Sequence, residues 1–434
     1  MKDIKVGIIG FGTVGAGVAE CLLNNNDLLT RRAGVRPILA KIADLDITSD
    51  RGISLPPGIL TSDVSEILDN PEIDVVVELI GGTTTARDMI LRALRQGKPV
   101  VTANKALLAK HGAEIFAVAE EANADIYYEA SVAGGIPIIK TMREGLVANN
   151  FTEVLGILNG TCNFILTRME EQESEFDEVL AAAQKAGYAE AEPSLDVDGY
   201  DSAHKAVILA SLAFGDWLGM DAVTVEGIRD VSLKDIKYAA QLGYRIKLLA
   251  IIKQEDGKVQ VGVHPALVPA TSLLSNVNSV YNAVWISGDI VGDTMYYGQG
   301  AGRDATASAV TADIMDVARN LKAGSTGRVP GFKAHSGKVD IIDQEAIMAR
   351  YYLRLQARNK AGVLAEFAGV LGRYNISIAS VTQQETGGET TPVVILTYQA
   401  SEADVRKAIE EIRSLDVVSE KPMVIRIEDL GESK

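Results

Sequence analysis

The sequence predicts an α/β protein with three parts: a Rossmann-type parallel sheet, an α+β domain and a ferredoxin-like C-terminal domain. In the first 135 residues, short apolar runs alternate with amphipathic helical stretches, which is typical of a parallel sheet covered by helices. This alternation then gives way to helices followed by β-rich segments. The last eighty residues have the order strand, helix, strand, strand, helix, strand, which indicates a ferredoxin-like unit.

The elements of the first domain, residues 1–135, follow from this alternation. Apolar runs predict parallel strands at residues 4–9, 38–43, 74–79, 100–102 and 125–128. A helix is expected after the first strand, through Val18, Cys21 and Leu22, and further helices at residues 86–95 and 105–121. The pattern therefore predicts a Rossmann-type, nucleotide-binding half.

The remaining chain predicts a substrate-binding and dimerisation domain at residues 136–325, a linker at 326–348 and a regulatory domain at 349–430. Within the second domain a strand at 154–158 precedes several helices and β-rich segments at 244–297. A helix at about 303–321 could pack back on the first domain. The boundary before the linker rests on a stretch rich in Gly, Ser, Thr and Pro at residues 323–331.

Composition narrows the class of partner. The chain has 434 residues, enough for two or three domains, and its hydrophobic content of 47% is that of a globular protein. Its net charge of -16 disfavours binding to nucleic acid or to an anionic membrane surface. The N-terminus has no basic and apolar leader, so we expect a cytoplasmic protein with small-molecule partners.

A glycine motif follows the first predicted strand as Gly10-Phe11-Gly12-Thr13-Val14-Gly15. The first glycine permits a tight turn, the second lets the backbone approach a pyrophosphate, and the third lets helix and strand pack closely. The helix N-terminus then favours the anion. A glycine-rich turn without a ligand is the alternative, but the position at the start of a βαβ pattern favours a nucleotide cofactor.

The end of the second strand usually discriminates between the two nicotinamide cofactors. Asp44 in this region favours NAD, because an acidic side chain can accept a hydrogen bond from the ribose 2′-OH. Lys41 and Arg51 could instead serve the 2′-phosphate of NADP. A turn or cap role for Asp44 is equally compatible with the sequence, so the cofactor remains NADP or NAD.

Thr102 and Lys105 lie where a parallel strand ends and a helix begins. Ligands bind at this edge of open α/β sheets. The position favours a role near the cofactor for Lys105, although an exposed lysine at a helix start is the alternative.

The densest polar segment contains Glu190, Asp196, Asp201 and Lys205. Asp201 and Lys205 are four residues apart in a predicted helix and so share one face. One interpretation is a solvated acidic loop that leads into a helix with a surface ion pair. The other is an amino-acid site, with carboxylates for a substrate ammonium and a lysine for proton transfer. Taken alone, the segment slightly favours the first.

Five segments in chain order resemble homoserine dehydrogenases: residues 10–15, 102–105, 129–137, 159–163 and 187–205. Together they extend from residue 10 to residue 205. The resemblance implies reversible NAD(P)-dependent interconversion of L-homoserine and L-aspartate 4-semialdehyde. Many relatives carry an arginine where Ala43 stands, so the resemblance gives no firm NADP preference.

The resemblance also implies residue roles. Lys205 would be the proton donor and acceptor, with Lys105 as a second active-site lysine. Glu190 and Asp201 would hold the substrate, supported by Asp196. Gly187 and Gly302 would contact the cofactor. A monovalent cation, Na⁺, would be bound largely through main-chain oxygens of a loop that contains Glu129, Val132, Gly134 and Ile136.

The C-terminal segments at residues 355–364 and 375–378 resemble an ACT domain. Such domains pair side by side, which implies a homodimer or homotetramer, and bind amino acids near Gly362 and Asn375 of the facing module. L-Threonine is the candidate effector, and a purely dimerising module is the alternative. Two other functions remain open: another amino-acid dehydrogenase, and a nucleotide- and amino-acid-binding sensor without catalysis.

Overall fold

A computed structural model describes residues 2–384 and 388–430. The chain forms two compact units. The first comprises Met1–Leu158, Ala203–Val223 and Asn282–Val339, and the second comprises Asn159–Ser202, Thr224–Tyr281 and Asp340–Lys434. The domain bounds predicted from the sequence stay predictions.

Strands and helices are numbered in chain order. The strands are β1 (Asp3–Ile9), β2 (Arg36–Ala43), β3 (Leu60–Thr61), β4 (Val75–Glu78), β5 (Val100–Thr102), β6 (Ile126–Tyr127), β7 (Phe151–Ile157), β8 (Thr224–Val225), β9 (Tyr244–Glu255), β10 (Lys258–Pro269), β11 (Tyr281–Gly288), β12 (Gly292–Gln299), β13 (Met348–Arg358), β14 (Ile378–Gln383), β15 (Thr390–Thr397), β16 (Ala400–Ser401) and β17 (Met423–Ile427). The helices are α1 (Thr13–Asn24), α2 (Asn26–Ala33), α3 (Ser65–Leu68), α4 (Thr85–Arg95), α5 (Lys105–Glu121), α6 (Ile138–Lys140), α7 (Gly160–Gln172), α8 (Phe176–Lys185), α9 (Ser194–Val197), α10 (Tyr200–Phe214), α11 (Leu233–Gln241), α12 (Arg303–Ala323), α13 (Val363–Arg373) and α14 (Glu402–Arg413).

The first unit contains a parallel sheet in the order β3-β2-β1-β4-β5-β6. Its central strands are apolar almost throughout, because helices cover both faces of such a sheet. The strand order places the carboxyl ends of β1, β4 and β5 side by side. Ligand-binding residues are expected at this edge.

Helix α12 belongs to the core of the first unit, although it follows β12 in the chain. Its residues Val310 and Ile314 are fully buried in one hydrophobic cluster with Ile4 and Val18. A Cβ on Gly17 of α1 would lie 3.0 Å from the Cβ of Ala307, so the two helices approach closely. The predicted helix at about 303–321 is present: it starts at Arg303 as predicted and ends two residues later, at Ala323.

The second unit contains a long antiparallel hairpin of β9 and β10. Asp256 and Gly257 connect the strands, and both have positive φ, as a two-residue hairpin turn requires. The C-terminal segment has the predicted strands and helices in the predicted order, with the two-residue strand β16 added before α14, and they surround a core that includes Tyr351, Phe367 and Ile412.

Within the second unit, the C-terminal module is joined to the hairpin by backbone pairing. β17 pairs in parallel with β10 through Ala266 and Arg426. The Arg354 guanidinium of β13 donates a 2.6 Å hydrogen bond to the Asp235 carboxylate at the start of α11, and both side chains are buried. The module therefore packs against the rest of its unit.

The structure adds elements that the apolar pattern does not predict. Helix α2 buries no residue, so it has no hydrophobic periodicity for the sequence to display. β3 and α3 are too short to produce a recognisable period. In the described part of the chain, no helix is both long enough and apolar enough to span a membrane.

Candidate active site

The glycine turn between β1 and α1 is shaped by backbone contacts. Gly10 has a φ of +104°, and a Cβ there would lie 2.7 Å from the Leu79 carbonyl carbon. A Cβ on Gly15 would lie 2.1 Å from the Gly10 oxygen. Among the described residues, no atom outside its chain neighbours lies within 4 Å of a Cβ position on Gly12, and no side chain caps α1. Its open N-terminus fits an anionic pyrophosphate.

The acid at the end of β2 organises this turn. The Asp44 carboxylate accepts hydrogen bonds from the backbone N–H groups of Phe11, at 2.5 Å, and Asp46, at 2.8 Å. The two candidate bases for a 2′-phosphate have partners of their own. Lys41 donates to Glu66 and to the Gly58 carbonyl, and Arg51 donates to Asp46.

A buried acid that the sequence analysis missed stands at the end of β4. Glu78 is fully buried, and it accepts hydrogen bonds from Thr102 Oγ1 at 2.6 Å and from the Ile80 N–H at 2.9 Å. Burial raises its pKa. Thr102 in turn accepts from the N–H of Asn104, the residue that caps α5 immediately before Lys105. The signal in the sequence was an acid at the end of an apolar strand.

The predicted cation loop is buried and sharply turned. Glu129, Val132, Gly134 and Ile136 are buried, and Gly134 has a φ of +52°. The Glu129 carboxylate accepts from the N–H groups of Ile139 and Lys140, each at 2.8 Å. Burial raises the pKa of this carboxyl to about 7. The described residues contain no group of three or more Asp, Glu, His or Cys side chains that could hold a metal ion, so a cation here would depend on backbone oxygens.

The two glycines predicted to contact the cofactor lie in different units. Gly302, in the first unit, has a φ of +113° and directly precedes α12. Gly187, in the second unit, has a φ of +78° and follows α8. Apart from the chain neighbours, no atom of the part of the chain that the structure describes lies within 4 Å of either Cβ position. Both backbones are therefore open to close approach.

In the second unit, Asn159 brings two of the predicted carboxylates together. Its Nδ2 donates to Asp196 Oδ1 at 2.7 Å and to Asp201 Oδ2 at 2.8 Å. Its Oδ1 accepts from the N–H of Cys162 at 2.8 Å and so caps α7. The sequence analysis predicted no separate role for Asn159, which lies in the segment at residues 159–163. No local pattern in the sequence indicates that its side chain bridges two carboxylates.

Other residues in the first turns of α7 hold the same segment. Thr161 Oγ1 donates to the Tyr188 carbonyl at 2.9 Å, and the Cys162 thiol lies 3.2 Å from the Asp196 carbonyl. The rings of Phe164 and Tyr188 are 4.8 Å apart. Glu190, in contrast, is exposed, and within the described residues its side chain has no hydrogen bond or ion pair.

Helix α10 carries Asp201 and Lys205 one turn apart. Both are buried, at 5% and 7% exposure, so the surface ion pair considered from the sequence is wrong. In the first unit, Lys205 Nζ donates a 2.5 Å hydrogen bond to the Leu158 carbonyl.

The two predicted effector residues share an unusual backbone conformation. Gly362, immediately before α13, has a φ of +93°, and Asn375, soon after the same helix, has a φ of +57°. Within residues 2–384 and 388–430, no atom outside its chain neighbours lies within 4 Å of the Gly362 Cβ position. The N-terminus of α13 therefore has an open backbone.

Comparisons with known proteins cover nearly the whole chain. The family model for the homoserine dehydrogenase NAD-binding domain matches residues 10–129, that for homoserine dehydrogenase matches residues 137–315, and that for the ACT domain matches residues 351–417. The homoserine dehydrogenase of Neisseria gonorrhoeae is 44% identical over 436 residues, which cover 100% of both chains.

Solved structures give the same result. A homoserine dehydrogenase from Thiobacillus denitrificans superposes with a TM-score of 0.94 at 45% identity, over 99% of each chain. A hyperthermophilic archaeal homoserine dehydrogenase in complex with NADPH has a TM-score of 0.62 at 28% identity, and the match covers 74% of this chain and 98% of that one. This chain belongs to the homoserine dehydrogenase family and carries a C-terminal ACT domain.

Proposed function

We propose that the chain catalyses the reversible NAD(P)-dependent interconversion of L-homoserine and L-aspartate 4-semialdehyde. The observation that carries the proposal is the carboxylate pair that Asn159 bridges: Asp196 in the short helix α9 and Asp201 at the start of α10. Family membership supplies the substrate class. The geometry supplies a site suited to an amino-acid ammonium group.

The carboxylates would bind the substrate ammonium. Two acids close together repel each other, and a cation between them relieves this repulsion. Asp201 is buried, which strengthens its attraction for a charged partner. Glu190 is exposed, and we assign it to the same task once substrate is present.

Lys205 would exchange the proton at the substrate oxygen. When the aldehyde is reduced, charge develops on this oxygen, and a nearby ammonium both stabilises the charge and protonates it. In the reverse direction the neutral amine accepts the hydroxyl proton. The hydrogen bond to the Leu158 carbonyl fixes the position of Nζ, and Lys105 would be a second lysine near cofactor and substrate.

The first unit would hold the cofactor, whose nicotinamide gives or takes a hydride when it is bound. The N–H groups at the start of α1 would face the pyrophosphate, with Phe11, Thr13 and Val14 beside Gly12. Thr102, Gly187 and Gly302 would contact the other parts of the cofactor. Because Asp44 stands at the end of β2 and Lys41 and Arg51 already have acidic partners, we propose that NAD is used at least as well as NADP.

A monovalent cation such as Na⁺ would be bound by carbonyl oxygens of Glu129, Val132, Gly134 and Ile136. Support comes from Val132 and Gly134, since within the described residues no hydrogen bond reaches their carbonyl oxygens, although both residues are buried. Buried carbonyls need a partner, and hard cations take oxygen ligands. Replacing NaCl by choline chloride should lower the melting temperature.

The ACT domain would regulate the enzyme through an amino acid bound near Gly362 and Asn375, with L-threonine as the candidate and a homodimer or homotetramer as the assembly. One set of contacts supports coupling to the substrate site. Arg426 of β17 donates to Glu226 at 2.9 Å, and a Cβ on the next residue, Gly227, would lie 2.2 Å from the Val197 carbonyl. Calorimetric titration of L-threonine, with rates measured in parallel, tests this.

Initial rates at 340 nm test the reaction. The chain should reduce NAD or NADP when L-homoserine is added and should react far more slowly with other amino alcohols, such as L-serine and L-threonine. Preference for a different substrate would establish another dehydrogenase. Binding of cofactor and amino acid with no absorbance change would establish the sensor, an alternative disfavoured by the identity to enzymes along the whole chain.

A further inference from the structure

The Asn159 side chain contacts both Asp196 and Asp201, and its role differs from that of an ordinary helix cap. A cap uses only a side-chain oxygen to accept a backbone N–H. Asn159 uses its Oδ1 in this way and has its amide nitrogen left over. That nitrogen donates one hydrogen bond to each carboxylate.

The orientation of this amide is determined by its surroundings. The Cys162 N–H requires an acceptor, so the oxygen must face α7 and the NH₂ group must face the carboxylates. Asn159 is 5% exposed, so water cannot readily replace either contact. A rotation of the amide would place its oxygen against two carboxylates and its NH₂ against a backbone donor.

Two like charges at hydrogen-bond distance from one nitrogen repel each other, and this repulsion disfavours the state in which both acids are ionised. Hydrogen bonds to the charged form favour that form. The Asn159 amide, placed between the acids, supplies one such bond to each and so restricts the orientation of both carboxylates.

We propose that Asn159 is a positioning residue that keeps Asp196 and Asp201 ionised and oriented as a paired receptor for the substrate ammonium. This inference rests on the proposed function. According to this inference, the Asn159 amide increases the affinity for the substrate and helps to set the pH at which kcat/KM falls on the acid side. Asn159 does not touch the reacting carbon or oxygen.

Asn159→Asp tests the proposal with almost no change of shape. The aspartate keeps an oxygen for the Cys162 N–H and therefore keeps the cap. It replaces the NH₂ group by an oxygen that faces two other carboxylates. KM for L-homoserine should rise roughly tenfold or more, since hydrogen bonds to charged groups are strong. The acid limb of kcat/KM should move to higher pH, and the Kd of NADPH should stay unchanged.

Asn163→Asp is the matched control one helical turn further along α7. Asn163 Nδ2 donates to the carbonyls of Val277 and Tyr281, and its Oδ1 is 3.3 Å from Lys247 Nζ, which can neutralise an added acid. This variant places a new carboxylate on the same helix away from Asp196 and Asp201. It should leave the acid limb where it is, even if it lowers the melting temperature.

Asn159→Ser covers the case in which Asn159→Asp does not fold. Serine caps a helix well but lacks the second donor, so KM should still rise without an added charge. Wild-type KM and an unmoved acid limb in a folded Asn159 variant would overturn the inference alone. A wild-type chain inactive on L-homoserine would overturn the proposed function, and the inference with it.

Discussion

The chain contains two strand-to-helix junctions that are built in opposite ways. At the junction of β1 and α1, glycines bring the backbone close together and leave the helix N-terminus without a cap. At the junction of β7 and α7, the Asn159 side chain caps the helix, and neighbouring side chains hold the segment that carries Asp196. An uncapped N-terminus can receive an anion, whereas the capped one serves as a support for other side chains.

Gly15→Ala should have the largest effect at the first junction. The added Cβ would lie 2.1 Å from the Gly10 oxygen, so the turn must move or the helix must shift. We expect a loss of more than about 3 kcal/mol in the free energy of unfolding and loss of measurable NADPH binding. Urea unfolding and a fluorescence titration check this. A stable variant that binds NADPH normally would show that backbone contact does not shape this turn.

A pH titration probes the second junction through Lys247, which is buried in contact with α7. Its Nζ donates to the Val277 carbonyl at 2.6 Å, and burial lowers its pKa to about 8, from 10.5 when unfolded. Between these values the unfolded chain binds more protons, so the unfolding free energy should rise with pH. The slope should be about 1.4 kcal/mol per pH unit relative to Lys247→Met. If the unfolding free energies of the wild type and of Lys247→Met changed equally with pH, the lowered pKa of Lys247 would be contradicted.

Asp201→Asn tests the difference between the two junctions, because it changes the proposed substrate site and leaves the proposed cofactor site unchanged. It removes one charge from the paired receptor, and KM for L-homoserine should rise by roughly a hundredfold while the Kd of NADPH stays constant. Asp198→Asn is the control, because that nearby acid pairs with Arg229 and is about one-third exposed. An equal change of KM in both variants would indicate a general effect of charge.

Gly12→Ala should have the smallest effect. In the described residues, no atom outside the chain neighbours lies within 4 Å of the added Cβ, so the melting temperature should stay within about one degree of the wild type. The Kd of the cofactor should rise roughly tenfold, because the methyl group occupies the approach of the pyrophosphate. A fall in stability as large as that of Gly15→Ala would mean that the two glycines serve the same purpose.

The sequence predicted the first junction better than the second for a physical reason. Gly10 and Gly15 are in close contact with nearby backbone, and only glycine fits at these positions. The motif alone therefore predicts the geometry of the turn. Asn159 contacts residues 37 and 42 positions further along the chain. Its type fits an ordinary helix cap equally well, and nothing nearby in the sequence indicates its partners.

The same distinction applies to the fold. Elements with a clear apolar pattern, such as α5 and β5, have the predicted bounds. Helix α2, which buries nothing, and the Glu78 network, which joins two strands through side chains, left only weak patterns. Burial of Asp201 and Lys205 also depended on tertiary packing, so the sequence alone slightly favoured a solvated loop.

Turnover of Lys205→Ala tests the central claim most directly. With L-homoserine and either cofactor, we expect kcat to fall by roughly a thousandfold or more, with the Kd of NADPH within about twofold of the wild type. Lys185→Ala, at the exposed end of α8, should retain wild-type turnover. Near-normal turnover in a folded Lys205→Ala protein would contradict the assignment of proton transfer to this lysine.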